Sequence, residues 1–221
     1  MELSVLDIDK FVSINKLKQV KDLTFFEATG VPTDGGLFSI DIFGRQGSDN
    51  RRRLWGYIEL GGKFLHPLIY KTLCQLDRKF PDLISCQRYV RLSRTGEFIE
   101  CEQGEPDSWT GLDNLYANWD KIDWGTASAG TQRSERTSLL KVVPKDRIFI
   151  TKWPVMPASF RDVDSSGGSR IKQIPEINYL YIQLMTSAPT TVTGLLFADG
   201  NRKRRAQDAL LEVHKAALDL S

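Results

Sequence analysis

Long uninterrupted apolar runs are missing from this sequence. No stretch approaches the roughly eighteen apolar residues that a membrane-spanning helix needs. The opening residues, MELSVLDIDKF, carry acids where a signal peptide would carry Lys or Arg before an apolar stretch. We therefore expect no membrane partner and a protein that acts in the cytoplasm.

Cysteine and histidine are also scarce. Cys74, Cys86 and Cys101 are widely spaced and form no C-x-x-C pair, and His66 and His214 do not complete a four-ligand zinc set. Because unpaired cysteine is among the most buried residue types, we predict three buried thiols without a disulfide.

An excess of charge of one sign is missing as well. Thirty Lys and Arg stand against 28 Asp and Glu, for a formal net charge of +2. This balance neither demands nor excludes nucleic acid, so any basic surface must be local. With 41% hydrophobic and 26% charged residues, the chain has the composition of a globular protein that buries a sizeable core.

A cluster of carboxylates suited to two-metal chemistry is not present either. The nearest pair is Asp162-Val163-Asp164, and paired acids of this kind are common in solvated loops. We assign no catalytic residue to this chain.

Local patterns predict a mixture of helices and strands, and hence an α+β fold. Aromatic and β-branched runs predict strands, apolar residues at three- and four-residue spacing predict helices, and small polar residues predict a flexible loop. The strands are Trp55–Leu60, Ile148–Trp153 and a hairpin within 86–103 that turns at 94–97; the helices begin at Pro67 and fill 109–124; the loop is 125–136. Gly35, Gly36 and Gly44 are expected to serve backbone geometry rather than ligand contact.

Two amphipathic helices are predicted at the end of the sequence. The first begins at about Pro175, a residue favoured in a first helical turn, and the second near Asp199, a good N-cap. The linker, Thr186 to Ala198, is short enough to make the helices antiparallel neighbours. We predict a helical hairpin with a long tip.

Three blocks of sequence, in one order, carry a family pattern. They are Gly36 to Gly44 followed by Gly56 to Pro67, then Ile148 to Asp162, then Asn201 to Leu210. The first resembles the "G-L-F…I-F-G" segment and the "G-H-I-E-L-A-x-P-V-x-H" strand at the start of the β′-type largest subunit of multisubunit DNA-dependent RNA polymerases. The second resembles the "L-x-V-L-P-V-x-P-P-x-x-R-P" stretch that leads into the lid loop of that subunit. The third resembles the returning helix of its clamp coiled coil.

The resemblance implies a particular architecture. It divides the chain into a clamp core over residues 1–147, a strand with the lid loop over 148–173, and a protruding antiparallel helical hairpin over 174–221. Bacterial β′ subunits carry a four-cysteine zinc site between the two motifs of the first block. Here Arg45 to Trp55 separates those motifs and contains no cysteine, so we expect no zinc.

The resemblance also implies where the chemistry lies. The "N-A-D-F-D-G-D" loop that holds the catalytic magnesium in this family lies further on and does not occur in these residues. We expect Mg²⁺ to be held by another chain or segment of an assembled polymerase. Clamp-like blocks without a zinc site or a catalytic loop are most similar to the split subunits of large-phage polymerases. That similarity would place the protein in the cytoplasm of an infected bacterial host or packaged in the virion.

A clamp would contact phosphates, which position nucleic acid without reading its sequence. The residues expected to contact DNA or RNA lie on a basic arm and on the lid, which runs from about Pro157 to Lys172. They are Arg45, Arg51, Arg52 and Arg53 on the arm, and Phe160, Arg161 and Arg170 on the lid. The alternatives are a basic loop or subunit-facing patch for the arm, and a loop anchor packed on the core for Phe160.

A run of four cations opens the second C-terminal helix. Arg202, Lys203, Arg204 and Arg205 oppose the helix dipole, so an acidic partner or DNA is expected there. By resemblance, that partner is a promoter-specificity factor of the sigma type. The alternative is a solvated helix face.

Two functional hypotheses stay open at this point. The first is a clamp-forming subunit or fragment of a phage-type RNA polymerase, a nucleotidyltransferase only as part of that complex. Its partners would be the β-type and remaining β′-type chains, a promoter-specificity factor, DNA and RNA. The second is a stand-alone nucleic-acid-binding transcription regulator with a clamp-like fold. An independent enzyme is disfavoured because the sequence offers no convergent acid, base or metal set.

Overall fold

The computed structural model describes residues 5–44, 54–161, 174–188 and 200–219. Their fold is mixed α+β, as the sequence predicts. The helices are α1 (Ile8–Ile14), α2 (Ile40–Phe43), α3 (Pro67–Leu76), α4 (Phe80–Ile84), α5 (Gly111–Asn118), α6 (Gln132–Val142), α7 (Lys145–Ile148), α8 (Glu176–Ser187) and α9 (Gly200–Asp219). The strands are β1 (Lys18–Gln19), β2 (Gly56–Leu65), β3 (Tyr89–Leu92), β4 (Phe98–Cys101) and β5 (Phe149–Val155).

A small sheet organises the described part of the chain. Its strand order is β1-β2-β5, with β1 parallel and β5 antiparallel to the central β2. In the β2–β5 register, Gly56 faces Val155 and Ile58 faces Trp153, and the register shifts between Glu59 and Phe64. Both predicted strands are confirmed, and β2 extends further along the chain than its sequence pattern indicates.

The outer side of β5 is closed by a carboxylate rather than by another strand. Asp9, on α1, accepts hydrogen bonds from the backbone N–H groups of Thr151 and Lys152 at 3.1–3.2 Å, and from the Thr151 hydroxyl at 2.9 Å. Proline has no backbone N–H to donate to a neighbouring strand, so it is tolerated on an edge strand. Pro154 therefore continues β5 instead of ending it.

A second, two-stranded sheet confirms the predicted hairpin. β3 and β4 pair antiparallel from Tyr89 opposite Cys101 to Leu92 opposite Phe98. The turn holds Gly96 at a φ of +88°, a left-handed conformation that glycine adopts without steric cost.

One hydrophobic core spans the three segments that the resemblance separates. Leu60, Ile150 and Leu210, one from each segment, belong to the same cluster of buried apolar side chains in the described residues. The described parts of these three segments therefore share one core.

The C-terminal helical hairpin is confirmed as a pair of packed helices. The guanidinium of Arg202, at the start of α9, donates to the carbonyls of Thr186 and Ser187 at the end of α8, so the helices run antiparallel. Asp199 and most of the predicted tip lie outside the described residues.

The prediction that this hairpin protrudes is wrong for its described length. The side-chain amide of Gln207 accepts from Leu65 N–H at 2.9 Å and donates to Leu65 C=O at 2.8 Å, so α9 lies directly on β2. The Tyr70 hydroxyl on α3 also donates to Asp208 at 2.6 Å. The physical reason is the buried apolar face of α9, which needs a protein surface to cover it. Its buried residues include Ala206, Ala209, Leu210 and Val213.

Three other local predictions are corrected. The helix predicted over 109–124 is shorter, because α5 ends at Asn118 and a 3₁₀ turn follows over Trp119–Lys121. The predicted loop 125–136 ends early, because Thr131 caps α6 by accepting from Ser134 N–H. The cysteines are not buried: Cys86 is exposed, and the other two are half-buried.

Candidate functional site

A buried arginine joins two of the three family-like blocks to helix α8. Arg161 is 1% exposed and follows a 3₁₀ turn after β5. Its Nε donates to Met156 C=O at 2.9 Å and its Nη1 to Asn178 Oδ1 at 2.7 Å, while Nη2 donates to Leu37 C=O. The Asn178 amide returns a bond of 3.1 Å to Arg161 C=O. One guanidinium thus ties the segment before α2, the end of β5 and helix α8 together.

Aromatic rings, rather than an acid, surround this guanidinium. Its Cζ lies 5.1 Å from the ring centroid of Phe38, 4.7 Å from that of Phe43 and 5.8 Å from that of Tyr181. Within the described residues no carboxylate forms an ion pair with it. Burial lowers the pKa of Arg161 to about 10, which leaves it charged at neutral pH.

This burial contradicts the expectation that Arg161 contacts nucleic acid. Its donors are engaged by protein carbonyls, so they offer nothing to a phosphate. Phe160, its neighbour, has a partly exposed ring at the rim of a pocket described below. Arg170 and the arm residues Arg45, Arg51, Arg52 and Arg53 lie outside the described residues, so their expected contacts stay predictions.

The four cations at the start of α9 divide into two pairs. Lys203 forms an ion pair with Asp113, and Arg204 with Asp82 at 3.3 Å and with Asp208 at 3.8 Å. These two cations therefore join α9 to α5 and α4.

Arg202 and Arg205, by contrast, are exposed. Arg202 donates to backbone carbonyls of α8, and no ion pair of Arg205 occurs in the described part of the chain. Among the four cations, this second pair is the more exposed and forms no ion pair in the described residues, so it is the better candidate for contact with an external partner.

An apolar pocket lies on another face of the molecule. Its volume is about 470 Å³, within the range of ligand and side-chain binding cavities. Trp153 and Met156 from β5 and the residue after it, Tyr181 from α8, and Ala217 from α9 form its walls. No local pattern in the sequence indicates this pocket, because its lining comes from segments far apart along the chain.

Two imidazoles supply the polar groups of this pocket. His66 and His214 have ring centroids 5.9 Å apart, and each ring lies about 6 Å from that of Trp153. His66 Nδ1 accepts from Leu68 N–H at 3.2 Å as the cap of α3, so the neutral ring carries its proton on Nε2.

Both imidazoles are uncharged at neutral pH. Burial, reinforced by His214, lowers the pKa of His66 to about 4. Burial and the nearby Lys71 also lower the pKa of His214. The pocket is therefore apolar with neutral donors and acceptors, and it does not suit a charged group at its base.

Over residues 5–44, 54–161, 174–188 and 200–219, no group of three or more His, Cys, Asp or Glu side chains is placed to hold a metal ion. None of the helices in these same ranges is both long and apolar enough to cross a bilayer.

Comparison with known protein families and with curated proteins finds no match to this chain.

Proposed function

We propose that this chain is the clamp-forming N-terminal subunit or fragment of a β′-type largest subunit in a phage-type, multisubunit DNA-dependent RNA polymerase. Its role would be to grip template DNA and the RNA–DNA hybrid, with the catalytic Mg²⁺ held by another chain or segment. The observation that carries the proposal is that the three blocks resembling this family, which are far apart in sequence, contact one another in the fold.

The contacts between the blocks are specific. The first block contributes β2, whose Gly56 and Ile58 face Val155 and Trp153 of the second block. The third block contributes Gln207, whose amide bonds both backbone groups of Leu65.

Two further bonds join these parts. His66 N–H, at the end of the first block, donates to Ile148 C=O of the second at 2.8 Å. Arg161 of the second block binds Leu37 C=O of the first. Residues that share one structural unit are the ones expected to be retained together in a family, which is why their joint resemblance supports the proposal.

Contact with nucleic acid and with a specificity factor would be made by exposed side chains near β5 and at the start of α9. Phe160 belongs to the predicted lid, has a partly exposed ring and is the described candidate for an apolar wedge. Arg202 and Arg205 would form the docking surface for the promoter-specificity factor, since Lys203 and Arg204 already form ion pairs with acids of the same chain.

Co-purification tests the subunit proposal. An affinity-tagged chain isolated from its native source should elute with other polymerase chains and with promoter-dependent RNA synthesis activity. A monomer without polymerase partners would refute the proposal. If that monomer binds DNA with a steep salt dependence, the stand-alone regulator becomes the better account.

Charge reversal tests the docking surface separately. The double variant Arg202→Glu and Arg205→Glu should lose binding of the specificity factor while still assembling with the other subunits. A matched control, Lys21→Glu with Arg133→Glu, changes the net charge equally at other exposed positions. Unchanged promoter-dependent transcription in the first variant would contradict this part of the proposal.

A further inference from the structure

Exposed apolar side chains surround the pocket near His66 and His214. Leu6, Trp55, Phe160 and Leu218 line it, and all four are exposed, Leu6 to 56% and Leu218 to 61%. They come from four separate parts of the chain. Clustered large apolar groups on a protein surface mark sites of association, whereas isolated ones do not.

This apolar surface continues into a second hollow beside α1. That hollow has a volume of about 390 Å³, and its lining includes Leu6, Phe11 and Ile14. Leu6 borders both hollows, and Phe11 packs edge-on against Trp55 with ring centroids 6.0 Å apart. Ile14 is 68% exposed at the far end. Two adjoining hollows form a longer surface than a compact small molecule would cover.

The charged groups along this surface favour an acidic occupant. Lys10 lines the second hollow and Lys71 lies close enough to His214 to lower its pKa, and in the described residues neither lysine forms an ion pair. Arg147 is a second cation in the lining of that hollow, against one acid, Asp7. Asp7 accepts a hydrogen bond from Lys10 N–H, and the carboxylate of Asp9 accepts from β5. Carboxylates of a partner would thus meet cations at the edge of the surface.

The base of the pocket favours an uncharged aromatic or aliphatic group. Its walls are mostly carbon, and its imidazoles are neutral. His66 uses Nδ1 within its own helix cap, and its Nε2–H makes no hydrogen bond in the described residues, so it can donate to a neutral acceptor. Deep apolar pockets with such a rim are where interface energy concentrates.

We propose that the pocket and the adjoining hollow together form a docking site for a partner protein segment in which a large apolar side chain is flanked by carboxylates. The apolar side chain enters between Trp153 and the two imidazoles. The carboxylates lie at the rim, near Lys10 and Lys71. This docking site does not depend on the polymerase function proposed above.

Fluorescence anisotropy with three labelled peptides tests the proposal on the full chain. The probe is fluorescein-Glu-Asp-Trp-Leu-Asp-Glu-amide, labelled at its N-terminus; one control peptide has Lys at every acidic position, and the other has Ser in place of Trp and Leu. The probe should bind, and each control should bind at least about tenfold more weakly, which corresponds to about 1.4 kcal/mol.

Variants then locate the site. Leu218→Ser and Lys10→Glu should weaken probe binding several-fold, as should Ala217→Trp, which fills the pocket. Val142→Ser, an exposed aliphatic residue changed to Ser, and Lys21→Glu are the controls; both positions are exposed and line neither hollow, so these variants should have no effect. Circular dichroism checks that each variant is folded; because Leu218 and Lys10 are exposed, their variants test the site even if Ala217→Trp does not fold.

Five results would overturn the proposal. The first three are failure of the probe to bind, equal binding of the lysine peptide, and equal loss of binding in the Val142 and Lys21 controls. The fourth is binding of anilinonaphthalene sulfonate, weakened by Ala217→Trp, without binding of any peptide. That result would assign the pocket to small molecules. Self-association that Leu218→Ser abolishes, without peptide binding, would instead assign the surface to a second copy of the chain.

Discussion

Removing the buried guanidinium tests whether Arg161 holds the fold together. Arg161→Met keeps much of the volume and the apolar stem while deleting every donor. It leaves acceptors at Met156, Leu37 and Asn178 without their partner in the core.

The magnitude follows from two opposing terms. An orphaned buried acceptor costs about 1–3 kcal/mol, or roughly 3–9 kcal/mol for the three together. The variant also relieves the cost of burying a charge, which the lowered pKa of Arg161, about 10, places at roughly 3 kcal/mol. We expect a net loss of about 3 kcal/mol, or a fall in Tm of roughly 6–12 °C for a chain of this size.

Urea unfolding followed by tryptophan fluorescence measures this loss. Arg205→Met is the matched control, since Arg205 is an exposed arginine on α9 and its replacement should change stability by no more than about 0.5 kcal/mol. If both variants unfold at the same urea concentration, the bonds of Arg161 do not stabilise the fold and the reasoning is refuted.

Three further perturbations have defined outcomes. Gln207→Leu removes the amide that bonds both backbone groups of Leu65, and chemical denaturation should show a loss of about 2–4 kcal/mol. Gly96→Ala places a Cβ 2.5 Å from Lys121 C=O in a left-handed backbone, so Tm should fall by more than strain alone explains. Between pH 6.5 and about 4, His66 binds a proton in the unfolded state but stays neutral in the folded state. The contribution of neutral His66 to the free energy of unfolding is therefore complete above pH 6.5 and is lost as the pH falls toward 4. Urea titrations should show this loss, roughly 3 kcal/mol in total, and His66→Asn, which can still cap α3, should flatten it.

Controls separate these effects from general damage. Gln183→Leu alters an exposed glutamine on α8 and should be nearly neutral. Gly130→Ala combines a φ of +80° with open space, so it measures backbone strain without a clash. A Gly96→Ala protein no less stable than Gly130→Ala would contradict the predicted clash, and a pH profile unchanged by His66→Asn would assign the titration to another group.

Local patterns were sufficient for most of the secondary structure. The strand at Gly56, the helix that begins at Pro67 and the turn at Gly96 each depend on neighbours within a few residues, and the structure confirms them. The two C-terminal helices were also predictable, because an apolar stripe at three- and four-residue spacing is a local signal. Gly36 is confirmed as a residue of backbone geometry, since a Cβ there would lie 2.6 Å from Thr24 C=O.

Surface roles were less predictable than secondary structure. The cations Arg161, Lys203 and Arg204 look in sequence like groups available to a partner, yet each is engaged within the fold. Charge type is visible in a sequence, but the carbonyl or carboxylate that satisfies it belongs to a distant segment. The prediction that Cys86 is buried is wrong for a similar reason, since the exposure of Cys86 depends on a left-handed turn and not on residue type.

The sequence by itself therefore determined the α+β composition, the main helices and strands, and the pairing of the last two helices, because these follow from hydrophobic periodicity and turn residues. Only the tertiary structure decided that the three family-like blocks share one core, that the helical hairpin packs on β2, and that Arg161 is a buried tie. Only it revealed the apolar pocket between His66 and His214. These features arise from contacts between segments far apart in the chain, such as Leu65 with Gln207 and Leu37 with Arg161, and a single sequence carries no local signal of them.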